Sequence, residues 1–166
     1  MPNPDGPIII AYDGSVAANQ AIEQASGIVG SGTKAVILTV WESGLMNAAI
    51  APIPGGLGAP VPPPDIEQVR ELDRSEEDHA EKIARQGAEL ARQHGLDAEA
   101  HVARDERSVA STILELAEER DARAIVIGSR RHSAIASVLL GSTTEKVLHT
   151  TKRPLIVIRP SDGDGH

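Results

Sequence analysis

The chain has 166 residues, enough for one domain with a real core, and 40% of them are apolar, too many for a disordered chain. A formal charge of −8 argues against a general nucleic-acid binder, which needs a basic face to displace counterions. Cysteine is absent, which excludes a disulfide frame and thiolate chemistry and fits the cytoplasm.

The N-terminus, MPNPDGP, lacks the basic start and apolar stretch of a signal peptide, so residues 1–7 read as a flexible lead. Ile8 to Tyr12 is a short apolar run that predicts a strand, ending at Asp13-Gly14-Ser15. Ser15 is a helix cap, and Ala18, Ala21, Ile22, Ala25 and Val29 follow at helical spacing until Gly30 and Gly32 stop the helix. Ala35 to Val40 predicts a second strand.

Residues 43–64 are rich in Gly and Pro and predict a flexible loop. It leaves the second strand as a flap, poorly ordered from Ala48 to Ala59, with Leu45, Met46 and Ile50 available to cover a ligand or a neighbouring subunit. Asp65 caps a long helix marked by Ile66, Val69, Leu72, Ile83, Leu90 and Ala91 and closed by Gly95. The acidic run from Glu71 to Glu81 reads as the wet face of that helix.

A weaker strand spans Ala98 to Ala103, and Ser108 caps a helix carrying Val109, Ile113, Leu116 and Ala117. Ala124 to Ile127 is a strand of the fully buried kind. Ser142 to Thr150 predicts a helix, and Leu155 to Ile158 is a last strand bracketed by Pro154 and Pro160. Residues 160–166 read as a tail. No window approaches the ~20 apolar residues needed to cross a membrane. With no Phe, one Trp and one Tyr, the core must be Ile, Val, Leu and Ala.

Five strands separated by helices predict an α/β fold: a parallel sheet with helices on both faces, in a single domain spanning 8–159. Such sheets bind ligands beyond the carboxyl ends of their strands, where the strand order reverses. The candidates are therefore Asp13, Gly14 and Ser15 after the first strand, Trp41 and Glu42 after the second, and Gly128 to His132 after the fourth. Gly141, Ser142, Thr143 and Thr144 form a second small-residue cluster at a helix start, where free amides bind phosphate.

Several rival chemistries lack their residues. There is no G-x-x-x-x-G-K-[ST] loop, no G-x-S-x-G elbow, and no G-x-G-x-x-G after the first strand. A response-regulator phosphorelay needs clustered acids at the first strand and an acceptor at the third. Here the first strand supplies only Asp13, and Asp105 falls past the predicted end of the third. The six histidines are scattered without ligand spacing, so no structural metal site is expected.

The chain resembles the universal stress protein family over roughly Ile8 to Arg159. The resemblance rests on "AYDGS" after the first strand and on the closing "GSTTEKVLHTTKRPLIVI". Nucleotide-binding members of that family carry a Gly, two residues, a Gly, nine residues, then Gly-Ser or Gly-Thr. Gly128, Gly141 and Ser142 match, and Arg131 stands at the second glycine position.

The resemblance implies a three-layer sandwich whose five-stranded sheet has the order 3-2-1-4-5, placing Asp13 beside Gly128. It implies ATP or a related adenine nucleotide, with Mg²⁺ as the usual companion of a triphosphate, across the ends of the first and fourth strands. Asp13 would hold ribose and the Val40 backbone would hold adenine. Gly128, Gly141, Ser142 and Thr143 would hold phosphate, with Arg131 either obstructing the loop or pairing with a phosphate. It further implies a homodimer joined through Leu155 to Ile158. The expected role is a cytoplasmic stress-response sensor or binding module, without nucleic acid or membrane. A nucleotide-free interaction protein and a slow ATPase are the alternatives.

Overall fold

Three consecutive isoleucines and an alanine, Ile8–Ala11, form the central strand β1, fully buried at Ile8, Ile9 and Ile10. The computed structural model describes residues 3–43, 65–129 and 141–159. Within these, the other strands are β2 (Lys34–Glu42), β3 (Asp97–Asp105), β4 (Ala124–Gly128) and β5 (Leu155–Ile158). The described helices are α1 (Val16–Val29), α2 (Ile66–Gln93), α3 (Val109–Glu119) and α4 (Ser142–Thr150). The 44–64 part of the predicted loop, the flap within it, and Arg131 lie outside the described residues.

The strands make one five-stranded parallel sheet in the order β3-β2-β1-β4-β5. β2 and β3 run further than their apolar stretches predict. Trp41 and Glu42 stay paired with Arg104 and Asp105, so Asp105 ends β3 and does not lie past it. Backbone pairing carries these polar residues into the sheet where hydrophobic periodicity is silent.

Side chains alternate between the faces of a strand, and here each face has its own core. Ile8, Ile10, Tyr12 and Ile37 pack with α1 and α2 on one side. Ile9, Val36, Leu38, Ile125 and Ile127 pack with α3 and Val147 of α4 on the other. Each fully buried Ile contributes about 1.5–3 kcal/mol relative to exposure. The faces that α1 and α2 present are largely alanine, including Ala18, Ala21, Ala25, Ala84, Ala88 and Ala91. Small side chains let both helices lie close to the sheet, and Gly87 of α2 makes room for the Tyr12 ring, the one aromatic in this core.

Three helices start on a side-chain cap. Ser15 Oγ accepts from the Ala18 amide at 3.2 Å, Asp65 from Glu67 at 3.0 Å, and Ser108 from Ser111 at 3.2 Å. The fourth, α4, starts at Gly141, where no side chain caps it.

Candidate functional site

The chain order reverses around β1: β2 and β3 lie to one side of it, β4 and β5 to the other. Ala11 pairs with Ile127, so the Asp13 turn and the end of β4 leave the sheet at the same level. A cavity of about 400 Å³ opens there, within the range of small-molecule pockets. Asp13, Val40, Gly128, Gly141, Ser142 and Thr143 all line it. Of the family-implied set, only Arg131 falls outside the described residues. Trp41 and Glu42 do not line the cavity; instead, the Arg104 guanidinium lies 5.6 Å from the Trp41 ring centre.

The Asp13 turn is built tightly. The Asp13 carboxylate accepts from the Ser15 amide at 3.0 Å, and Gly14 takes a φ of 76°, a conformation that favours glycine. Immediately before it, the Tyr12 amide donates to the Leu38 carbonyl at 2.8 Å, and Thr39 Oγ1 donates to the Tyr12 carbonyl at 2.9 Å. The phenol of Tyr12 donates to Asn19 Oδ1 at 2.7 Å. Burial, and then the neighbouring Asp13 charge, push that phenol above its ordinary value. The carboxylate is thus exposed on a turn whose preceding residue is fixed at backbone and side chain.

Leu38 is the last β2 residue whose carbonyl receives an amide from the β1 side, at Tyr12. Backbone groups on a strand alternate in direction. Val40 is therefore the next β2 residue to face that side, beyond the end of β1, and it lines the cavity. Across the cavity stands the α4 start. A helix leaves its first amides without intrahelical partners. At α4 these belong to the Ser142–Thr144 turn, with no capping side chain and with the positive end of the helix dipole behind them. A Cβ built on Gly141 meets no described atom within 4 Å. Lys146 on α4 donates to Ser108 Oγ at 2.9 Å, tying α4 to the cap of α3.

Thr144 of the small-residue cluster lines the cavity too, as do Val109 and Ile113 of α3 and Ile127 of β4, which the sequence does not mark as site residues. Val109 and Ile113 were read as helical core positions. The available signal was the Ser108 cap, which starts a helix at the carboxyl end of β3, but the face on which α3 packs is set by the sheet. A second concavity of about 460 Å³ lies between the α3 flank and the end of α4, lined in part by Glu115, Glu118, Lys152 and Arg153. It is slightly larger but remote from the carboxyl ends of the strands. Its Arg153 is already bonded to Asp121 and to the Ala122 carbonyl. Among the described residues, no group of three or more His, Cys, Asp or Glu could hold a metal ion, and no helix is long and apolar enough to cross a membrane.

Comparison with known proteins bears on this arrangement. A universal stress protein of Thermus aquaticus is 29% identical over 153 residues, covering 92% of this chain and 97% of its own. A longer universal stress protein of Mycolicibacterium smegmatis is 32% identical over 77 residues, 46% of this chain; the chain spans only 25% of that protein's length. Among solved structures, a universal stress protein in complex with cAMP superposes with a TM-score of 0.60 at 21% identity, covering 92% of this chain and 96% of that one. The universal stress protein of Archaeoglobus fulgidus in complex with dAMP superposes with a TM-score of 0.55 at 20% identity, covering 95% and 99%. The profile of the universal stress protein family matches residues 6–159, and the chain belongs to that family.

Proposed function

We propose that this protein binds ATP or a related adenine nucleotide at the carboxyl ends of β1 and β4 and works as a dimeric stress-response sensor in the cytoplasm. The observation that carries this reading is the uncapped start of α4 facing the Asp13 turn across the cavity. Free amides at the positive end of a helix favour phosphate, and an exposed carboxylate opposite them suits ribose hydroxyls. The backbone of Val40 takes the adenine edge. The nucleotides named for the two structural neighbours, cAMP and dAMP, are of the same class.

The residues present fit a nucleotide. The α4 amides and the open face of Gly141 receive the phosphates, with Arg131 as a further phosphate ligand. Magnesium arrives on the triphosphate, since Mg²⁺ is commonly held by substrate phosphates and few protein groups. Among the described lining residues Asp13 is the one carboxylate. The dimer forms through β5, a four-residue apolar strand paired in this chain with β4, and its mass in solution tests that.

Calorimetry with ATP tests the reading. Wild-type protein binds ATP, and Asp13→Ala weakens it about tenfold, the loss of one charge-assisted hydrogen bond. A wild-type chain that shows no heat and releases no nucleotide on denaturation favours the nucleotide-free interaction protein.

A further inference from the structure

We propose that Gly128 serves this site as a positioning residue: its missing side chain seats the first turn of α1 against β4 and does not clear a path for phosphate. The inference rests on the nucleotide reading above.

A Cβ built on Gly128 would lie 2.6 Å from the Ala17 carbonyl oxygen, 2.9 Å from its carbon and 3.2 Å from the Ala18 nitrogen. All three are backbone atoms of α1. None is the tip of a side chain that could swing aside. Gly128 is also absent from the residues with positive φ, so its backbone conformation is open to other residues. Space is the reason for glycine here, and α1 fills it.

The consequence for the site follows from the chain. Ala17 is two residues beyond the Ser15 cap, and Ser15 is bonded through its own amide to Asp13. Ala17 and Ala18 are buried, and Ala18 lines the cavity. A side chain at 128 lifts this turn from β4, and the Asp13 carboxylate moves with it. The amides of α4 belong to a different element and stay in place. Gly141, the other described glycine of the motif, is the opposite case, with no described atom near its missing Cβ. One glycine packs an element that carries the ribose ligand, and the other meets no described neighbour at its Cβ position.

The test is Gly128→Ala in the full chain, with affinities for adenosine, inorganic tripolyphosphate and ATP measured by calorimetry and hydrogen exchange followed in α1. The expected result is a loss of about tenfold or more for adenosine and for ATP, by the same factor, as Asp13 leaves its position. Tripolyphosphate affinity stays unchanged, and amide exchange in the first turns of α1 quickens. Retained adenosine binding with lost tripolyphosphate binding overturns the inference, since Gly128 then clears room for phosphate. Should Gly128→Ala not fold, Ala17→Val adds bulk to the same turn without touching β4. The same adenosine-specific loss supports the inference, and its absence overturns it. A wild-type chain that binds none of the three ligands overturns the nucleotide reading itself, and the inference falls with it.

Discussion

At the amino end of the sheet the turns are bound to one another, whereas at the carboxyl end the described turns border a cavity. Gly32 donates to the Gly95 carbonyl at 2.7 Å and Asp97 to Thr33 at 2.9 Å. Arg123 donates to Pro7 and Ile125 to Pro154, each at 2.9 Å. Side chains add to this seam: Arg123 reaches Thr33 Oγ1 at 3.1 Å, and Arg153 reaches Asp121 and the Ala122 carbonyl. At the other end the strands finish in the Asp13 turn and in Gly128, and a helix start is left uncapped. Open α/β sheets bind ligands at the carboxyl ends of their strands, and the proposed site lies there. Substitutions at the two ends should therefore separate folding from ligand affinity.

The largest expected effect is at the tied end. The Arg153 side chain is only 15% exposed and satisfies a backbone carbonyl. Arg153→Ala should lower unfolding free energy by about 3 kcal/mol in denaturant titration, because it strands that carbonyl and removes charge-assisted bonds. Its affinity for ATP, measured where the variant is folded, should match wild type.

Gly141→Leu should do the reverse. No described atom lies near its Cβ position and φ is −57°, so denaturant stability should fall by about 1 kcal/mol or less. The rise in Tm with ATP should disappear. In wild type that rise corresponds to about 2.7 kcal/mol when ATP is at a hundred times Kd. A Gly141→Leu protein that keeps the rise would break the division between the two ends.

The smallest effect concerns Tyr12, at the border between core and cavity. Its phenol is pushed above 10.0, so the neutral form is favoured in the folded state. The sign follows: this contribution is whole below pH 10.0 and is lost as pH rises through the higher folded value. Tyr12→Phe should flatten the alkaline limb of a stability–pH curve. At neutral pH it should cost about 1 kcal/mol from the lost bond to Asn19.

Much of the fold can be read along the chain because its punctuation is local. Ser15, Asp65 and Ser108 stand as caps where the hydrophobic period begins, and Leu155–Ile158 lies between prolines. The ends of β2 and β3 are less readable, since Glu42 and Asp105 join the sheet through each other and not through apolar pattern. The strand order is a non-local property, and only the family resemblance supplied it. The same division holds at the site. Asp13 and Gly141 announce themselves as turn and helix start. The space at Gly128 is filled by the Ala17 carbonyl from another element, and no neighbour in sequence reveals that.

The aliphatic core has an optical consequence. Phe is absent, and Trp41 and Tyr12 are the chain's only indole and phenol. Trp41 follows Val40 on the strand proposed to meet adenine, with the Arg104 guanidinium 5.6 Å from its ring centre. Near-ultraviolet emission from this protein therefore originates almost entirely from one fluorophore beside the proposed base site. Titrating nucleotide against that emission reads the carboxyl end of the sheet without any attached label.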